Sequence, residues 1–353
     1  SVTGVQTCAL PIFVTYQISP SVTQYMYYVQ NNGLLTVVDT ATGQEKWSFL
    51  AEEALPQIQA MMTDAQGPQL QIADGTASIY VQDFNGDGNI TGSDKVWLFF
   101  GLRRGGRVMY ALDITAPDNP IFMWKISAET TPAKVCLANG ACTNASQFNE
   151  LGQTWATPVV GKVRANSNPV LIFGGGYDAG NPVVNTAPYA GEDAMPPGTR
   201  SMGRAVFVVD AVTANIVQSW GVGQSGPFLG SGASSMIYAI PSDVTALNTD
   251  LDAQNYIDRL YVGDVGGNVW RFDTDNSDVT QWHGKLLASL SNATGEKRKF
   301  LFAPAFVKQN TPFRFDAVYI GSGDREHPLC LTANDPGPPP KTNSCSQFAT
   351  DDR

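Results

Sequence analysis

Arg259–Trp282 reads RLYVGDVGGNVWRFDTDNSDVTQW. An apolar strand runs into a Gly/Asn turn, a second strand ends in Asp, and a Trp follows. The same order occurs in MYYVQNNGLLTVVDTATGQEKW (Met26–Trp47) and in VWLFFGLRRGGRVMYALDIT (Val96–Thr115), with Trp124 beyond. It returns split in VLIFGGGYD (Val170–Asp178) and GRAVFVVDAVTANIVQSW (Gly203–Trp220), and begins again in AVYIGSGDREH from Ala317. These copies start roughly 60–90 residues apart, and a long-period repeat of strand hairpins is the signature of a β-propeller. The apolar alternation and Gly-containing turns predict antiparallel pairing. The fold class is therefore all-β, a β-propeller of four-stranded antiparallel blades, with about five blade units visible. The tryptophans are expected to plug between neighbouring blades.

Composition agrees. Of 32 acidic residues, 24 are Asp and only 8 are Glu, and Gly (34) and Pro (22) are frequent. Asp favours caps, turns and hard-metal loops, whereas Glu favours helices. A helical bundle is excluded. The net charge of −10 argues against nucleic acid, which needs a basic footprint, and suits cations. Two histidines, His283 and His327, leave little for a zinc or iron site. No apolar run approaches the roughly 20 residues of a membrane span. One short helix is expected over Ala51–Met62, interrupted at Pro56. Residues 178–202 and 333–346 read as long loops within a single incomplete propeller domain, 14–353.

Two loops carry metal-ligand spacing. Asp83–Asp94, DFNGDGNITGSD, has Asp at position 1, Asn at 3, Asp at 5, Gly at 6 and Asp at 12. That is the pattern of an EF-hand-type calcium loop, with Asp in place of the usual final Glu. Asp83, Asn85 and Asp87 would turn oxygens inward. Asn89 would offer its carbonyl, Thr91 a hydroxyl or a bound water, and Asp94 would close the sphere. The alternative is an Asp/Gly-rich turn that binds nothing. The second candidate is Asp250, Asp252, Gln254, Tyr256 and Asp258, weaker by residue type because Gln254 is neutral and no Gly follows. GVGQSG (Gly221–Gly226) fits a dinucleotide fingerprint only in its glycines and reads as a loop. Arg103, Arg104 and Arg107 form a basic turn that neutralises nearby carboxylates or binds an anion. No nucleophile elbow and no HExxH motif is present.

Cys136 and Cys142 lie six apart; Cys330 and Cys345 lie fifteen apart. Two local disulfides, Cys136–Cys142 and Cys330–Cys345, are expected, as in exported proteins; four free thiols in a reducing compartment is the alternative. Each would tether a loop and not hold the core together. Val2–Ile12 can be back-translated into a string resembling a short-read sequencing adapter. Residues 1–13, with Cys8, are set aside from fold reasoning as an artefactual or disordered tail.

FGLRRGGRVMYALDIT, ELGQTWATPVVGKV, VLIFGGGYD, RLYVGDVGGNVWRFD and VYIGSGDREHPL together resemble the C-terminal propeller of the PilY/PilC family of type IV pilus tip-associated proteins and adhesins. The resemblance spans Val14–Arg353. It implies a modified seven-bladed, non-enzymatic propeller, exported to the periplasm, outer-membrane surface or pilus tip. It implies support of pilus extension, twitching motility and surface attachment, with minor pilins and the pilus machinery, and host or abiotic surfaces, as partners. It also implies a calcium site on alternate residues just before the Y-x-G-D strand, here Asp250–Asp258 ahead of YVGD at Tyr261–Asp264. Gln254 departs from the family's acid. One or two calcium ions are the expected cofactors. The family's N-terminal half, often with a von Willebrand A-like part, is absent, so the chain reads as a fragment. The rival reading is a pyrroloquinoline-quinone-dependent dehydrogenase, because the D-x-x-T-G-x-x-x-W element also occurs in quinoprotein propellers. Against it, the chain has no adjacent Cys-Cys pair.

Overall fold

The computed structural model describes residues 10–18, 21–56, 58–59, 72–179, 201–230, 236–291, 298–309 and 315–323. Strands in these residues form five antiparallel sheets. The first contains β1 (Ile12–Ile18), β2 (Ser21–Val29), β3 (Leu34–Asp39) and β4 (Glu45–Leu50) in sequential order. The second contains β5 (Ser78–Gln82), β6 (Lys95–Gly101), β7 (Val108–Asp113) and β8 (Ile121–Ser127). It is extended to six strands by β9 (Lys134–Leu137) and β10 (Cys142–Asn144). The third holds β11 (Val159–Gly161), β12 (Val170–Gly174), β13 (Ala205–Asp210) and β14 (Ile216–Gly221). The fourth holds β15 (Thr245–Leu247), β16 (Arg259–Gly263), β17 (Asn268–Asp273) and β18 (His283–Ser289). A two-stranded sheet of β19 (Ala305–Gln309) and β20 (Phe315–Tyr319) follows. This is the blade order of a β-propeller, with the repeated motif supplying the second, third and fourth strands of each complete blade. β1 begins at Ile12, inside the segment set aside from the sequence, and Ile12 pairs with Tyr27. Of the expected helix, Glu52–Ala54 forms a 3-10 turn and residues 55–56 and 58–59 are α-helical, Pro56 among them; residues 57 and 60–62 lie outside the described residues.

The central strands are almost wholly apolar because both of their faces are buried. Successive side chains on a strand point to opposite faces. Along β6, Val96, Leu98 and Phe100 enter the core shared with the first sheet, and Trp97 and Phe99 enter the core shared with the third. Along β13, Phe207 and Val209 face back, and Val206 and Val208 face forward into the core with the fourth sheet. The period of two survives as alternating destination, not as alternating polarity.

Two details explain the repeated Asp and Trp. Asp39 Oδ1 accepts the amides of Ala41 (2.9 Å) and Thr42 (3.2 Å), turning the chain out of β3. Asp210 Oδ1 does the same for Val212 (2.9 Å) and Thr213 (2.8 Å) after β13. Both turns close with a residue at positive φ, Gly43 in the first and Ala214 (φ 61°) in the second. The tryptophans then reach across to the next sheet. Trp47 Nε1 donates to Pro117 O (2.6 Å) and Trp124 Nε1 to Ala211 O (2.9 Å), each carbonyl lying in the following sheet's Asp turn. Trp220 packs against Phe272 of the fourth sheet, with ring centroids 4.6 Å apart and the planes tilted by 41°.

Trp124 is fully buried. Trp124→Ala is therefore expected to cost about 3–5 kcal/mol in denaturant unfolding. Trp124→Phe keeps most of the ring but orphans the Ala211 carbonyl, for about 1–3 kcal/mol. Asp210 gives a pH signature. Burial pushes its carboxyl up, but hydrogen bonds from Asn166, Asn168 and the Val212 and Thr213 amides outweigh this and hold it low. With the folded value below the unfolded value of about 3.9, its contribution is complete above that pH. It is lost as pH falls through the folded value. Asp210→Asn should accordingly flatten the acid limb of a stability–pH curve.

Candidate functional site

The loop Asp83–Asp94 joins edge strand β5 to β6 as a hairpin connection, so the ladder of these two strands fixes its ends. Its acids organise its backbone. Asp83 Oδ1 accepts the Gly86 amide (2.7 Å) and Oδ2 the Gly88 amide (2.8 Å). Asp94, almost fully buried, accepts Phe84 N (2.8 Å) and Thr91 N (2.9 Å). Those two amides hold its carboxyl below the usual carboxylate range. Gly88 has φ 76° with open space where a Cβ would point, so its requirement is conformational and not steric.

Asn85 occupies the middle of the loop. Its Oδ1 accepts the Asp87 amide (3.1 Å), while its Nδ2 donates to Asp87 Oδ2 (2.9 Å) and Thr91 Oγ1 (3.4 Å). An amide donor thus stands between two of the oxygens expected to ligate a cation. Among the described residues, no ion pair involves Asp83, Asp87 or Asp94. No three carboxylate, imidazole or thiolate groups are gathered as a metal cluster among the described residues either. The donor set still fits a hard cation: oxygen-bearing side chains at 83, 85, 87, 91 and 94, no counter-charge, and an exposed rim. Asn89 is held by its amide on Asp87 Oδ1 (2.8 Å).

The loop Asp250–Asp258 is arranged differently. Asp258 is buried and accepts from the Thr249 amide (2.7 Å), the Thr249 hydroxyl and the Asp250 amide (3.1 Å). Asp250 and Asp252 each place one oxygen on Arg164 Nη2, at 2.8 and 2.6 Å. Arg164 also donates through Nε to Asp275 (2.8 Å) and lies over the Tyr256 ring at 5.0 Å. Gln254 is exposed and borders a shallow cleft of about 390 Å³ with Asn248, Asn255 and Lys162. Reading by spacing finds these loop residues but misses Arg164, which lies 86 residues before Asp250 in a turn with no motif of its own.

Cys136 and Cys142 are disulfide-bonded across the paired strands β9 and β10. Cys330, Cys345 and His327 lie outside the described residues. Arg103 and Arg104 neutralise a carboxylate, but it is Asp74 (3.7 and 3.9 Å) and not the 83–94 loop, and both guanidinium groups face the Trp155 ring. Arg107 instead donates to the Leu151 (2.7 Å) and Asn149 (3.0 Å) carbonyls, and burial lowers its pKa. His283 is a half-buried strand residue paired with Asp273. Gly221–Gly226 leaves the end of β14 as a loop. No helix among the described residues is long and apolar enough to cross a membrane.

The chain is an antiparallel β-propeller of Asp-turned, Trp-docked blades, carrying an Asp-rich oxygen-donor loop on one hairpin. It is similar to the PilY1 proteins. It is 25% identical over 320 residues to the type IV pilus biogenesis factor PilY1 of Pseudomonas aeruginosa, covering 84% of this chain and 23% of that protein. A PilY1 homologue of Xylella fastidiosa is 22% identical over 282 residues, covering 79% of this chain and 16% of that protein. The crystal structure of the Pseudomonas aeruginosa PilY1 C-terminal domain superposes with a TM-score of 0.57 at 19% identity, covering 86% of this chain and 53% of that one. The chain spans between about a sixth and a quarter of the length of these two curated relatives. No protein-family model matches it.

The β9–β10 hairpin lies at the sheet edge, with β10 exposed. Replacing both Cys136 and Cys142 with Ser should raise amide exchange across 134–144. The global unfolding midpoint should move by less than the ~2 kcal/mol of chain entropy that a short disulfide loop represents.

Proposed function

We propose that this chain is a calcium-binding, non-enzymatic propeller module of an exported type IV pilus biogenesis protein. It supports pilus extension, and with it twitching motility and surface attachment, through contacts with minor pilins. The pilus role rests on similarity to PilY1 proteins along most of the chain. Export is supported by the Cys136–Cys142 disulfide, which persists in oxidising compartments.

The observation that carries calcium binding is the 83–94 loop. It pins Asp83, Asp87 and the buried Asp94 in one loop, with no basic partner among the described residues, and the Asn85 amide stands between Asp87 and Thr91. Calcium takes six to eight hard oxygens at about 2.3–2.6 Å. Turning over the Asn85 amide and freeing Asp83 and Asp87 from the loop's own amides supplies the side-chain share of them. Bound calcium would stiffen the β5–β6 hairpin and set the shape of the propeller surface beside it.

Thermal unfolding in calcium and in chelator tests this. At a calcium concentration about 100 times Kd the native state gains about 2.7 kcal/mol, so the midpoint should rise by several degrees. Asp87→Ala should abolish the rise. A calcium-independent midpoint in the unmodified protein would sink the site. For the pilus role, cells carrying Asp83→Ala and Asp87→Ala together should display fewer surface pili and smaller twitching zones. Unchanged zones would remove the link between the loop and pilus function. Dye-linked alcohol oxidation after addition of pyrroloquinoline quinone and calcium would overturn the non-enzymatic reading.

A further inference from the structure

We infer that the 250–258 loop is closed by the guanidinium of Arg164 and not by a metal ion. Arg164 lies in the turn between β11 and β12 of the third sheet. The loop it reaches joins β15 to β16 of the fourth. The two are brought together by the backbone: Ile257 N donates to Lys162 O at 2.8 Å, and Lys162 and Tyr256 form a parallel bridge. Arg164 thereby collects Asp250, Asp252 and Asp275 from two connections of the neighbouring sheet, with the Tyr256 ring as its floor.

Every carboxylate oxygen of the loop is already committed. Asp250 Oδ1 accepts the Asp252 amide (3.2 Å) and Oδ2 accepts Arg164. Asp252 Oδ1 accepts the Tyr256 amide (2.9 Å) and Oδ2 accepts Arg164. Asp258 spends both oxygens on Thr249, and one of them also on the Asp250 amide. A calcium ion would need these same oxygens at about 2.3–2.6 Å. The guanidinium holds two of them at 2.8 and 2.6 Å, so the two cations exclude each other. Arg164 cannot yield by deprotonating, because guanidinium stays charged in proteins. Gln254, neutral and exposed, supplies none of the extra negative charge that would favour a divalent ion over the resident monovalent one. In the first loop, by contrast, no basic side chain among the described residues pairs with a carboxylate.

Calcium calorimetry on Asp83→Ala, with amide exchange as a second readout, tests the inference. Asp83→Ala silences the first loop, so what remains reports on the 250–258 loop whether or not the first loop binds calcium. No uptake is expected up to millimolar calcium. Adding Arg164→Gln should either create one calcium site or raise exchange at the Asp252 and Tyr256 amides at least tenfold. If Arg164→Gln fails to fold, Arg164→Lys keeps the charge, loses the fork and should show the same faster exchange. Calcium uptake by Asp83→Ala that disappears on adding Asp252→Asn would overturn the inference. So would an Arg164 variant with unchanged calcium uptake and unchanged exchange.

Discussion

The structure depends on strands that are buried on both faces. Once a strand such as β6 sends Val96, Leu98 and Phe100 one way and Trp97 and Phe99 the other, it needs a packed sheet on each side. A pair of sheets is not enough, because the second would again have an apolar outer face. Face-to-face repetition follows, and the native twist of each sheet turns the repetition into a propeller. Each core thus belongs to two successive sheets and to no single one.

The polar elements of the repeat keep these layers in register. The Asp turns after β7 and β13 each present a backbone carbonyl to the Trp of the preceding sheet, Pro117 to Trp47 and Ala211 to Trp124, whereas the Trp220 indole donates to Pro227 beyond its own strand. A buried indole N–H requires such a partner. The bond is therefore directional in a way that the apolar contacts are not. It explains why an Asp and a Trp recur on different sheets while the residues between them vary.

The central strands of each blade are legible in the sequence because their apolar runs are long and their Asp turns repeat. The first strands β5, β11 and β15 are not. They are short and half-exposed, with no long apolar run. The β9–β10 extension was visible only as a cysteine pair. The acid and glycine spacing of the 83–94 loop is local and therefore legible, and the calcium that this spacing suggests is a proposal. The 250–258 loop could be read only in part. Its acids are local, but the group that answers their charge arrives from another blade. No spacing rule reaches that far.

The disulfide-closed hairpin has a consequence for crowding. It lengthens the second sheet by two strands and ends it in β10, three exposed residues joined covalently to the strand beside them. An open sheet edge is a template for strand addition from another molecule. Here that outer edge is too short to template a ladder, and β10 cannot peel away from β9 to lengthen it. Where many copies stand close together, the hairpin acts as a stopper against edge-to-edge assembly.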